Sequence, residues 1–147
     1  MIKEFSGEYA FLSNFHHAPF KDGAGRTYDT VEHFFQSHKV FPYDTPEFEA
    51  IRTAKTPGKS KRLGRHATLR TDWEDKKQMI MGLGLLLKFV QHSDLKQKLI
   101  ETAPKELQEG NTWGDKYWGV DLLTGEGENI LGKELMKIRG VFINGML

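Results

Sequence analysis

A helix-dominated α+β fold, a single compact domain over residues 1–147 with a few short β-strands, is what this sequence predicts. Three observations lead there. Helix-start residues recur along the chain, each ahead of apolar residues at helical spacing. Two regions, the N-terminal segment and the stretch from Glu106 to Asp121, mix aromatics with turn residues and suit only short extended pieces. Strand and helix patterns never alternate as a parallel α/β sheet requires. A chain of 147 residues can bury about two thirds of the surface its unfolded form exposes, enough for one core.

Up to Tyr28, Phe5, Tyr9, Phe11, Phe15 and Phe20 sit among Ser13-Asn14, Pro19 and Asp22-Gly23, which predicts irregular structure with short strands. A first helix starts at Asp29 or Thr30 and stops near Val40, because Pro42 holds Phe41 extended. Thr45-Pro46 reads as a cap followed by proline at the first helical position, opening a helix to about Lys55; Thr56-Pro57 repeats the signal for a short basic helix. Asp72 is expected to cap the longest helix, Trp73 to Gln91, with Met79, Ile80, Leu83, Leu86, Leu87 and Val90 as its apolar face. Asp94 is expected to cap a further helix that Pro104 terminates, and Asn129 a last one ending at Gly140.

Composition removes several classes of function. There is no cysteine, so disulfide frameworks, thiolate zinc sites and cysteine nucleophiles are excluded. The first residues lack the apolar run of a signal peptide, and Leu83 to Leu87 is too short to span a membrane, so a cytoplasmic protein without membrane contact is expected. Net charge is only +1, yet Arg52, Lys55, Lys59, Lys61, Arg62, Arg65 and Arg70 fall in a stretch with no acidic residue. Such a block is either a solvated face or a surface that attracts phosphates.

Glu32, Gln36 and Lys39 are spaced four and three residues apart, an arc of roughly 60° on a helix. A lysine beside an acid can attack a masked aldehyde such as ribose C1′, provided burial lowers its proton affinity, while the acid moves protons. The plainer readings are a capping box between Asp29 and Glu32 and a surface amine at a helix C-terminus for Lys39. Asp115-Lys116-Tyr117-Trp118-Gly119 offers a carboxylate for ribose hydroxyls and an aromatic plane for a base, or else its rings are core. Gly125-Glu126-Gly127-Glu128-Asn129 fails the dinucleotide fingerprint for want of a third glycine, though such a turn can bind phosphate or simply cap a helix. The six histidines show no metal-ligand spacing, so neither a metal nor a cofactor is expected.

Taken together, the motifs resemble those of the NADAR family, also known as YbiA-like proteins, over nearly the whole chain. They are Phe11-Leu12-Ser13-Asn14-Phe15, Thr30-Val31-Glu32-His33-Phe34-Phe35-Gln36 with Lys39, Ala54-x-x-Pro57, Leu63-Gly64-Arg65 and Arg70-x-Asp72-Trp73. They continue through Met81, Lys88-Phe89, Glu109, Asp115-x-x-Trp118-Gly119 and Gly127-x-Asn129-x-Leu131-Gly132-x-x-Leu135-Met136-x-x-Arg139. The resemblance implies N-glycoside hydrolysis of a phosphorylated N-riboside or an ADP-ribosyl substrate. Ribosylamino-pyrimidine intermediates of riboflavin synthesis and ADP-ribosylated guanine in DNA are the two substrate classes. It implies Glu32, Lys39 and Asp115 as catalytic residues, with Lys39 a Schiff-base nucleophile. Ser13, Asn14, Phe15, His33, Gln36, Arg65, Trp73, Trp118, Gly119 and Asn129 would bind substrate. Departures are Thr102-Ala103-Pro104, where the family often has a Thr-Gly pair, and Phe34 and Phe35, where it commonly has tyrosines. The alternative from another class is a non-catalytic sensor of NAD or ADP-ribose.

Overall fold

The computed structural model describes residues 1–147. A 3₁₀ helix, Gly7–Leu12, comes first, then β1 (Phe20–Lys21), β2 (Thr27–Tyr28), α1 (Val31–Ser37), α2 (Pro46–Arg52), α3 (Pro57–Arg65), α4 (Trp73–Gln91) and α5 (Ser93–Glu101). The pairs β3 (Gly110–Asn111) and β4 (Val120–Asp121) precede α6 (Ile130–Ile143). Helices dominate and strands are two residues each, β1 pairing antiparallel with β2 and β3 parallel with β4. No helix is long and apolar enough to cross a membrane.

Packing divides the chain into two units, Asn14–Gln91 and Met1–Ser13 with His92–Leu147. In the first, Asp22 builds the β1–β2 turn: its Oδ1 accepts the Ala24 and Arg26 N–H groups at 2.9 and 3.0 Å. Tyr28, Phe34, Tyr43 and Phe48 surround the His38 ring with centroids between 4.0 and 5.7 Å. That burial pushes the imidazole down to about 4, so His38 is a neutral core ring.

Helix α1 is shorter than the sequence suggests. Thr30, rather than Asp29, caps it, its hydroxyl accepting the His33 N–H at 3.2 Å. After Ser37 the chain tightens, with Lys39 N–H donating to Gln36 O and Val40 N–H to Ser37 O. The cause is competition for the Phe34 carbonyl, which also accepts from Ser37 Oγ at 3.1 Å and His38 Nδ1 at 2.7 Å. Lys39 therefore stands two residues past the end of the helix, not within it. Helix α2 likewise ends at Arg52, three residues before Lys55.

Helix α4 turns a different face inward from the one expected. Ile80, Met81, Leu85 and Phe89 are buried, whereas Met79, Leu83 and Val90 are 60%, 45% and 49% exposed. Gly84 decides this, because a Cβ there would come within 2.7 Å of the Phe34 ring; the helix rolls to admit that ring. Asp72 gives its carboxylate to Arg70 at 2.6 and 3.1 Å instead of to the first turn.

In the second unit, Ile2 bridges to Leu107, and Arg139 donates to Thr102 Oγ1 and Lys105 O at 3.0 and 2.7 Å. His92 rather than Asp94 precedes α5, and no side chain caps it. Asn129 stands at the start of α6 in the left-handed region (φ 53°), but its amide does not cap. It accepts from Glu109 N–H at 3.0 Å and donates to Leu107 O at 2.9 Å, tying the 107–109 segment to the helix. Helix α6 passes through Gly140, and the left-handed glycine beyond its end is Gly145 (φ 69°).

Lys88 is fully buried on α4, with Nζ 5.1 Å from the Phe89 ring centroid. Burial pushes its amine down to about 7. An unfolded lysine titrates near 10.4, so between about pH 7 and 10 the unfolded chain holds a proton the folded chain lacks, and stability rises with pH. Urea unfolding is expected to show that rise in the wild type, a few kcal/mol at most (~3), and a flatter profile in Lys88→Met. Parallel profiles would mean that Lys88 stays charged inside.

Candidate active site

The unit Asn14–Gln91 gathers most of the polar residues singled out in the sequence, beginning with Glu32 on the first turn of α1. Its backbone N–H donates to Asn14 O at 3.1 Å, so the segment after Ser13 is pinned to the helix start. Its carboxylate is buried and accepts the Gln36 side-chain N–H at 2.7 Å, the i,i+4 contact the spacing foreshadows. Gln36 is thereby aimed at Glu32. Gln36 Oε1 is buried without a hydrogen-bond partner, as is Asn14 Oδ1, whose amide nitrogen lies 3.3 Å from Met81 Sδ.

Helix α3 crosses α1 at Gly64. A Cβ at that position would overlap the Gln36 carboxamide, so only glycine allows this approach. Ser60, one turn earlier and fully buried, donates to Ile51 O at 3.1 Å and fixes the roll of α3.

Lys39 is half-buried, and its backbone is held from two sides. Its carbonyl accepts the Arg70 N–H at 2.8 Å, and the preceding residue is the buried His38. The Nζ lies 5.9 Å from the Phe35 ring centroid and 5.9 Å from that of Trp73, whose rings pack at 5.1 Å. Burial lowers the proton affinity of the amine; Glu32 opposes that shift and the Lys61 and Arg65 cations reinforce it. Glu32 and Lys39 thus act on one another despite the early end of α1. An amine of lowered proton affinity that interacts with a carboxylate can attack an electrophilic carbon while the acid handles protons.

The remaining residues divide. Phe15 is 43% exposed and lies below Lys61 Nζ at 5.9 Å. Arg65 is exposed at the end of α3. His33 is buried with Nδ1 2.8 Å from Thr30 Oγ1 and Nε2 2.8 Å from Ala54 O, so both ring nitrogens are spent on the protein. Ser13, Asp115, Trp118, Gly119 and Asn129 belong to the other unit. There Asp115 Oδ1 accepts the Tyr117 and Trp118 N–H groups at 3.1 and 3.0 Å, and Asn111 brackets Asp115 through bonds of 2.8 and 2.9 Å. Gly119 is a close-approach position, where a Cβ would strike Glu109 O. Asn129 has both ends of its amide occupied by the 107–109 segment.

The relation of three residues to Lys39 was not foreseen, although Lys61 and Arg70 were named in the basic stretch. Phe35 walls Lys39, Arg70 anchors its backbone, and Lys61 adds charge beside it. Lys61 also stands in an i,i+4 relation to Arg65. No group of three or more histidine, aspartate or glutamate side chains is placed to hold a metal ion.

Gly64→Ala is expected to cost about 1–3 kcal/mol in denaturant unfolding, because the Gln36 carboxamide has to yield to the new methyl group. The same substitution at Gly58, where a Cβ meets nothing closer than 4.0 Å, serves as the comparison and is expected to be far milder. Equal losses would place the constraint elsewhere.

The NADAR domain matches residues 2–142. The chain is 40% identical over 136 residues to the N-glycosidase YbiA of Escherichia coli, covering 91% of this chain and 82% of that protein. It is 39% identical over 113 residues to an N-glycosidase of Nostoc punctiforme, covering 75% and 71%. Over 131 residues it is 35% identical to the chloroplastic riboflavin biosynthesis protein PYRR of Zea mays, 82% of this chain but 21% of that one. The solution structure of the E. coli YbiA protein superposes with a TM-score of 0.85 at 35% identity, covering 99% of this chain and 89% of that one. With a domain that matches residues 2–142 and relatives of this closeness, the chain belongs to the NADAR family.

Proposed function

We propose that this protein is an N-glycoside hydrolase that separates a phosphorylated ribose from a nitrogenous base, with Lys39 as nucleophile and Glu32 as the proton-transfer group. The observation that carries the reading is the half-buried amine of Lys39, lowered in proton affinity and acted on by the buried Glu32 carboxylate. The N-glycosidase names of the relatives from E. coli and N. punctiforme support the reaction class. The riboflavin biosynthesis name of the maize relative favours a ribosylamino-pyrimidine phosphate over ADP-ribosylated guanine in DNA.

In this reading Glu32 delivers a proton to the departing nitrogen as the C1′–N bond breaks, and the base leaves with the bonding pair. Neutral Lys39 forms a bond from Nζ to C1′, and opening of the ribose ring gives a protonated Schiff base. Water adds to that carbon with Glu32 taking its proton, and expulsion of the amine leaves the free aldehyde sugar. One water is consumed and no oxidant is needed. Asn14, Phe15 and Trp73, in the same unit as Lys39 and Glu32, are assigned to shaping the site.

Lys39→Ala is expected to reduce release of free base by about 10³-fold or more with an unchanged circular dichroism spectrum, and Glu32→Gln by about 10²–10⁴-fold. Chromatography of base released from a ribosylamino-pyrimidine phosphate and from ADP-ribosylated DNA, run side by side, separates the substrates. Full activity in Lys39→Ala, or ADP-ribose binding without release of any base, would contradict the assignment.

The nucleophile has to be neutral, so kcat/KM is expected to rise with pH through the Lys39 titration. Lys61→Met removes one cation that lowers this amine, so the rising limb is expected to move to higher pH. An unmoved limb would take Lys61 out of the electrostatics of Lys39.

A further inference from the structure

We propose that Lys61 and Arg65 form a phosphate-monoester site on one flank of α3, beside Lys39. The two lie four residues apart, so roughly 40° separates them around the helix. Their direction is set by their neighbours in sequence: Ser60 is locked to Ile51 O and Gly64 is pressed on Gln36, so the next residue in each case emerges on the same flank. Lys59 precedes Ser60 and emerges on the opposite flank, about 160° from Lys61.

Two cations are thus held on the flank that acts on the Lys39 amine. Lys61 and Arg65 both act on the Lys39 amine, and the one acid that acts on it is Glu32, on α1. No acidic residue occurs between Ala50 and Thr71. Arg65 is exposed in the last turn of α3, so its planar fork of donors faces solvent. Lys61 is half-buried against the partly exposed Phe15 ring, which gives the pair one apolar wall. Like charges gathered at a protein surface repel and focus potential, and a dianionic phosphate offsets that repulsion through charge-assisted bonds. A terminal monoester, carrying close to two charges, suits the Lys61 and Arg65 pair better than a singly charged backbone diester.

The inference rests on the N-glycosidase reading for the identity of the sugar but not for the existence of the site. Binding is therefore measured without turnover, by calorimetry on the intact protein at low ionic strength. The probes are inorganic phosphate, ribose 5-phosphate, ribose and an unmodified single-stranded oligonucleotide. Inorganic phosphate and ribose 5-phosphate are expected to bind, and ribose not. Lys61→Met/Arg65→Met is expected to weaken both anions by about tenfold or more, whereas Lys59→Met/Arg62→Met, which removes the same charge, changes them less than about twofold. Lys61→Gln and Arg65→Gln singly, checked by circular dichroism, cover the case in which the double variant does not fold; each is expected to weaken binding. Equal weakening by the two double variants would overturn the site, as would absence of phosphate binding by the wild type. An oligonucleotide that binds more tightly than ribose 5-phosphate, and loses affinity in both pairs, would make this face a strand-binding surface instead.

Discussion

Helix α3 comes against α1 at Gly64, and much of the candidate site depends on that contact. With no side chain at Gly64, the Gln36 carboxamide takes the space a Cβ would fill and points its N–H at Glu32. The same contact, with the buried Ser60 hydrogen bond one turn earlier, decides which flank of α3 faces Lys39. A missing methyl group thus couples the orientation of an acid to the placement of two cations. The coupling is steric, which is why a glycine and not a charged residue is its centre.

Around that contact the protein manages an electrostatic conflict. Lys39 is half-buried, which disfavours its charge; Phe35 and Trp73 present ring faces that favour it, as does Glu32, while Lys61 and Arg65 do not. The net direction is downward, towards the neutral amine a nucleophile needs. Lys88 reaches the same chemical condition by burial alone, but it is sealed in the core where no ligand reaches it. The two lysines show that lowered basicity by itself does not mark a reactive amine. In the proposed reading, partial exposure beside an acid is what separates Lys39 from Lys88.

Much of this was legible in the sequence, and the failures have physical causes. Thr45-Pro46 and Thr56-Pro57 placed two helix starts correctly because both cap and proline act locally. The pairing of Glu32 with Gln36 followed from spacing. The end of α1 did not, because the Phe34 carbonyl is contested by two side chains whose orientation only the fold reveals. The inward face of α4 was misread because the helix is apolar almost all round, and Gly84 settles the matter by admitting a ring from α1. Asn129 looks like a cap in sequence, yet its amide is taken by a segment twenty residues away. His33 is a similar case, with both nitrogens committed to the protein.

The central claim is that Lys39 forms a bond to the anomeric carbon during turnover, and reductive trapping tests it most directly. Wild-type protein is mixed with a ribosylamino-pyrimidine phosphate and borohydride, digested, and its peptides are mapped by mass spectrometry. The expected result is a reduced ribosyl phosphate adduct on the peptide carrying Lys39, absent when Lys39→Met is treated alike. Release of base with no adduct on any lysine, or an adduct confined to Lys61 or Lys88, would contradict the account.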